Sequence, residues 1–179
     1  RDIYVREGCY TCHSQQVRPF RSETERYGEY AKAGEYVYDH PFQWGSKRNG
    51  PDLSREGVVT GRQYKPNSWH YNHMLNPKLL NAQTIMPAYP WLISDDLDIT
   101  TTAKKIRVMQ TLGVPYPEGF DKTANEALMA QAKLIADDLK SQGIQVEPGK
   151  EIIAMIAYLQ RLGKDVHAAG APTASVTGR

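Results

Sequence analysis

Cys9, Cys12 and His13 fall within five consecutive residues, Cys9-Tyr10-Thr11-Cys12-His13. Two thiols spaced by two residues and followed at once by an imidazole form the attachment signature of a c-type haem. The thiols add across the haem vinyl groups as thioethers, and the short spacer sets them on one helical turn. His13 then falls beneath the iron as its proximal ligand. Two other chemistries use paired cysteines. A thiol–disulfide enzyme places the pair at the start of a helix after a strand, and no strand-like run precedes Cys9. A closed zinc site needs four ligands. The chain holds only two cysteines, so His70 and His73 would have to complete a contrived set. Haem attachment leads; thiol or metal chemistry without haem stays open as the alternative.

A haem iron takes a sixth ligand or keeps an open position. Met109, Met129 and Met155 lie in helical patterns, where methionine commonly fills core. His40 and His167 sit in a loop and a tail and read as solvent-exposed. Met86 differs, because its loop is irregular and Pro87 follows it, stiffening the backbone and removing a competing amide donor. A thioether ligand stabilises ferrous iron, as suits an electron carrier. Met74, His70 and His73 are the lesser candidates. On the other side of the ring, His13 needs an acceptor for its remaining N–H. The Gly50-Pro51 turn supplies one: the Pro51 carbonyl accepts, and Gly50 lets the backbone come close.

The elements that position these groups read as all-α. A short helix is expected over Asp2 to His13. The stretch from Gln15 to Arg48 is polar and aromatic without sustained periodicity, and alternation of Tyr36 with Tyr38 predicts a short hairpin within Gly34 to Trp44. Helices are expected over Ser68 to Leu75 with Ser68 as N-cap, Thr100 to Leu112, Thr123 to Gln142 opened by a capping box, and Lys150 to Leu162. Gly143 and Gly163 end the last two. Residues 168–179, rich in Ala, Thr, Gly and Ser, are expected to be disordered.

At 179 residues and a formal charge of +2, the chain is long enough for one domain with a real core and carries no nucleic-acid footprint. No apolar run in the given residues is long enough to cross a bilayer, and none of them reads as a signal peptide. Beginning at Arg1 without an initiator Met, it is expected to be a mature or truncated piece. Covalent haem attachment implies assembly in an oxidising, extracytoplasmic compartment, and with both cysteines consumed no disulfide framework is left.

The order Cys9 to His13, Gly50-Pro51-Asp52-Leu53, Trp69, Asn76-Pro77, Met86-Pro87 and Tyr158-Leu159-Gln160-Arg161-Leu162-Gly163 resembles a class I cytochrome c. The resemblance implies crossing first and last helices joined by aromatic contacts, here Tyr4 and Tyr158. It also sets Pro51 and Trp69 in the second shell of a single haem c. The runs from Arg6 to Phe20, Tyr38 to Arg48 and Met86 to Leu92 are similar to the monohaem c subunit (subunit II) of cbb-type, or C-family, haem–copper oxidases.

That likeness implies one haem c domain over 1–163, with an aromatic-rich insertion at 14–49, an extra helical insertion at 94–149 and a tail at 164–179. It implies an N-terminal membrane anchor upstream, on the periplasmic side of the bacterial inner membrane. Partners would be the catalytic haem–copper subunit and a dihaem c subunit, and no residue of this chain would be catalytic. Electrons would pass through one haem c toward the b-type haems where oxygen is reduced to water. A free-standing periplasmic shuttle cytochrome is the alternative. Arg18, Arg21, Lys47 and Arg48 are expected to face the catalytic subunit or haem propionates, and Ser46 to lie near an interfacial calcium site.

Overall fold

The computed structural model describes residues 1–45 and 47–167. Ser46 and the expected disordered segment 168–179 lie outside the described residues. Among the described residues seven α-helices run in the order α1 (Asp2–Arg6), α2 (Arg21–Tyr27), α3 (Asn67–Leu75), α4 (Trp91–Ser94), α5 (Thr102–Thr111), α6 (Phe120–Ser141) and α7 (Glu151–Arg161). Among the described residues no strand forms, and an isolated bridge pairs Asp96 with Lys150. The fold is all-α.

Helix α7 sits at the centre because almost every face of it is apolar. Ile152, Ile153, Met155, Ile156, Tyr158 and Leu159 are all buried, and a helix hydrophobic all round must be surrounded. Helices α1, α3, α4 and α6 pack against it. Its crossing with α1 is closed by Tyr4 and Tyr158, whose rings lie 5.3 Å apart at 54°, as the resemblance implied. Helix α6 buries Ala124, Ala132, Ile135, Ala136 and Leu139, a stripe of helical spacing whose small residues allow close approach to α5 and α7. Met109 and Met155 are core residues, as is Met74.

Several expected boundaries move. The first helix stops at Arg6, because Gly8 adopts φ +71° and the chain resumes as a 3-10 turn, Cys9–Thr11. The hairpin is absent: Ala33–Tyr36 is a 3-10 turn, with Tyr36 wholly inside and its hydroxyl 2.5 Å from Ser54 Oγ. Tyr38 instead meets Tyr116, with ring centroids 4.9 Å apart. Helix α3 starts at Asn67 rather than after a Ser68 cap, because the Pro66 carbonyl accepts from Trp69 and His70. Asn67 is held by Gln160 and Asp138.

The capping box at Thr123 is not used. Helix α6 begins earlier, after Gly119 at φ +74°, where Phe120 stacks on Tyr116 at 5.5 Å and Asp121 pairs with Arg107 at 2.9 Å. Helix α2 was not anticipated, since its buried face is only Glu23 and Tyr27. Residues Asp165–His167, assigned to the tail, form a 3-10 turn that buries Asp165.

Ile156 is fully enclosed, so Ile156→Ala leaves a cavity at the hub of the fold. The expected loss is about 2–5 kcal/mol, read as a lower denaturant midpoint at unchanged slope.

Candidate haem-attachment site

Breaking the first helix does not scatter the motif. The Cys9 carbonyl accepts from both Cys12 N, at 3.2 Å, and His13 N, at 3.0 Å, so both thiols and the imidazole share one turn. The two cysteines are free thiols, each half-buried. Burial, with Glu7 adding to it, pushes the Cys9 thiol up to about 11. A nucleophilic dithiol needs the opposite shift, toward thiolate at neutral pH. Among the described residues no set of three or more His, Cys, Asp or Glu side chains is gathered for a metal ion. The thiol and zinc alternatives therefore lose ground on chemistry.

His13 is held from behind. Its Nδ1 lies 2.8 Å from the Pro51 carbonyl, the contact read from the Gly50-Pro51 turn, which orients the ring and leaves Nε2 for a ligand bond. Gly50 is required there: a Cβ would stand 2.3 Å from His13 Cε1 and 2.7 Å from each ring nitrogen. The turn is pinned to the attachment segment by Gly50 N to Cys12 O and Leu53 N to Ser14 O, both 2.9 Å. Burial lowers the pKa of His13, while the Pro51 bond and Asp52 oppose that shift. A neutral imidazole is the form that ligates a metal.

Behind this turn lies a polar network that sequence reading missed. Asp52, wholly buried, accepts from Ser14 Oγ at 2.7 Å, Gln16 N at 2.8 Å and Ser54 N at 2.9 Å. Arg48 reaches Ser14 Oγ at 2.5 Å, the Gln16 carbonyl at 3.1 Å and Glu23 Oε2 at 2.8 Å. Arg18 binds the same Glu23 through its side chain and its amide. Arg18 and Arg48 are thus engaged with Glu23 within the protein, Arg18 with half of its side chain still exposed. Arg21 is exposed and pairs with Glu25 on its own helix. Lys47 is exposed.

The Met86 loop closes on the same region. Met86 is half-buried, packs against the core and lines a cavity of about 440 Å³ with Asn76, Pro77, Ile85 and Pro87. Tyr89 N donates to the Met74 carbonyl at 2.8 Å, tying the loop to α3. Tyr89 lies within electrostatic reach of both Cys9 and Cys12, and the Trp91 indole N–H donates to Glu7 at 3.2 Å. Trp69 stacks on His73 at 4.4 Å. His70 is fully buried, and His40 is half-buried with its ring 5.8 Å from Phe42.

These residues fit a haem. The Gly50 backbone forms a cradle against His13 that any side chain would fill. Trp44 Nε1 and His73 Nδ1 are buried without partners, although Trp44 is fixed beside the motif by Gln15 N to Trp44 O at 2.8 Å. A family model described as "Cytochrome C oxidase, mono-heme subunit/FixO" matches residues 1–166. The chain belongs to this family. A search of curated proteins finds no match. As an oxidase mono-haem subunit, the protein serves electron transport with one haem c, beside the catalytic part of a membrane-associated complex. Among the described residues no helix is long and apolar enough to cross a membrane.

Two outcomes follow from this geometry. Gly50→Ala drives a methyl into the imidazole, and the expected result is loss of the His13–Pro51 hydrogen bond, seen as a shifted, faster-exchanging ring N–H resonance. Burial raises the pKa of Glu23, but the hydrogen bonds from Arg18 and Arg48 outweigh it and hold the carboxyl at about 2, against an ordinary 4.5. A depressed carboxylate adds stability above its unfolded pKa and loses it as pH falls through the folded one. Glu23→Gln is therefore expected to destabilise at neutral pH, with the gap to wild type closing between pH 4.5 and about 2 in denaturant titrations.

Proposed function

We propose that this chain is the electron-relay subunit of a cbb-type oxidase. In this reading Cys9 and Cys12 would carry the haem, His13 and Met86 would hold its iron, and Pro51 and Trp69 would support them. The observation that carries it is the His13 imidazole, locked by the Pro51 carbonyl against Gly50 one turn from two free thiols. A bound haem c supplies one-electron redox chemistry at its iron. The protein's part is to keep the ring of His13 in one tautomer and orientation, offer the Met86 thioether from a stiffened loop, and exclude water. Holding both ligands fixed in either oxidation state keeps reorganisation small. No residue of this chain has a substrate bond to form or break.

Electrons would arrive from a dihaem c subunit or a soluble cytochrome and leave toward the b-type haems of the catalytic subunit. The proposed setting is the periplasmic face of the inner membrane, with an anchor preceding Arg1. Membership of an oxidase-subunit family speaks against a free-standing shuttle.

The test is a denaturing mass and a reduced-minus-oxidised visible spectrum of protein matured by a haem-attachment system. Wild type is expected to carry one covalent haem with a low-spin, six-coordinate spectrum. Met86→Ala should keep the haem mass and lose that spectrum, whereas Cys9→Ala with Cys12→Ala should lose the mass. A wild-type protein without haem mass would return the cysteines to thiol chemistry.

A further inference from the structure

Glu56 has no part in the site described above, yet its surroundings are unusual. It is 4% exposed. Among the described residues its ion-pairing neighbour is His70, whose Nδ1 lies 4.0 Å from Glu56 Oε2, beyond hydrogen-bond distance. His70 is itself 1% exposed and its Nε2 is buried without a partner. The other charged groups around Glu56 do not compensate it. Lys65 donates its backbone amide to the Glu56 carbonyl at 2.9 Å, while its ammonium lies over the Trp69 ring at 5.2 Å. Lys164, after α7, is spent on the Gly57 carbonyl at 3.3 Å. Arg55 turns away to bind Glu35. Asp52, on the same loop, is a like charge.

An unpaired buried carboxylate is costly enough that such a group keeps its proton instead. Burial, with the Asp52 charge adding to it and Lys65 opposing, pushes Glu56 up to about 8. Burial first, then His73, pushes His70 down to about 4, so the imidazole offers no positive charge near neutrality. This cluster neighbours the proposed iron ligand. Asp52 acts on both Glu56 and His13, and His73 acts on His70 while feeling His13. The loop bearing Asp52 and Glu56 is also the one whose Pro51 carbonyl holds the His13 ring.

Building on haem ligation by His13, we propose that Glu56 is a redox-linked proton site, binding a proton when the haem c is reduced and releasing it on oxidation. The electron comes from the donor cytochrome of the proposed function. The proton comes from bulk water and forms an O–H bond on the Glu56 carboxylate. Reduction removes one positive charge behind His13, so a negative charge on Glu56 is less favoured and its proton is held more tightly. By linkage, the free energy by which reduction favours the proton equals that by which the proton favours reduction. Raising the pH through the Glu56 titration therefore lowers the potential.

The experiment is potentiometric titration of the haem-loaded protein at a series of pH values, together with redox-difference infrared spectroscopy. Wild type is expected to show a potential that falls as pH rises through about 8, with a protonated-carboxyl C=O band in the difference spectrum. Glu56→Gln, a permanently neutral mimic, should hold the low-pH potential across that range and lose the band. Glu56→Asp should keep a pH-dependent step with its midpoint displaced. If Glu56→Gln does not fold, the wild-type pH profile and band together with Glu56→Asp decide the matter. A wild-type potential flat through this range, a wild-type spectrum without the band, or the same slope in Glu56→Gln would overturn the proposal. Each of those results, obtained with haem mass and low-spin spectrum intact, leaves the electron-relay reading standing; a protein without haem overturns that reading first.

Discussion

The site depends on one buried carboxylate. Asp52 is wholly enclosed and takes hydrogen bonds from Ser14, Gln16 and Ser54, so the residues just after the cysteine motif are stapled to the turn that carries Pro51. That staple reinforces the backbone bonds Gly50 N to Cys12 O and Leu53 N to Ser14 O in fixing the Pro51 carbonyl relative to His13, and with it the imidazole tautomer. Arg48, 3.6 Å from Asp52, adds charge compensation and passes the constraint on to Glu23 and α2. Replacing one member strands its buried partners, and that penalty exceeds what the intact contact contributes. The network therefore fixes geometry more than it adds stability.

A second set of buried polar contacts explains why the aromatic insertion is ordered. Asp39, 1% exposed, accepts from Tyr158 at 2.9 Å and pairs with Arg161 at 2.7 Å. Tyr36 reaches Ser54, and Glu35 pairs with Arg55 at 2.8 Å. Asp165 accepts from the Tyr38 amide at 3.1 Å. The insertion is thus clasped to the end of α7, the helix around which α1, α3, α4 and α6 pack. Gly163 and Gly57 permit this closeness: a Cβ on Gly163 would stand 2.9 Å from Arg55 Cγ, and one on Gly57 would stand 2.0 Å from the Gln160 carbonyl oxygen. The aromatic residues supply area, and the buried acids supply register.

What was legible in the chain was whatever local rules decide. The apolar spacing of α7 marked its burial, the cysteine spacing marked one shared turn, and Gly50-Pro51 marked an acceptor behind His13. Positions decided by distant partners were not legible. A capping box at Thr123 lost to Gly119 and to Phe120 stacking on Tyr116, and the Ser68 cap lost to the Pro66 carbonyl. Tyr36 alternated with Tyr38 as a strand would, yet a hydroxyl bond to Ser54 draws Tyr36 inward through a 3-10 turn. The pairing of Arg18 and Arg48 with Glu23 was not legible, because Glu23 lies in a helix with too little apolar periodicity to be seen.

Asp52 and Glu56 show how little residue type alone decides. Both are acids on one loop, and both are buried. Asp52 is met by two amides and a hydroxyl, with a guanidinium close by, an arrangement suited to negative charge. Glu56 meets a histidine at 4.0 Å that burial keeps from charging. The difference follows from direction: the shorter Asp52 side chain meets the backbone N–H of residue 54 on its own turn and that of residue 16 on the attachment segment, whereas Glu56 points across to α3, whose backbone donors are already consumed by the helix. Two acids on one loop are thus held in opposed environments. Asp52 is held in place by its donors, and Glu56 is left with the proton proposed for it.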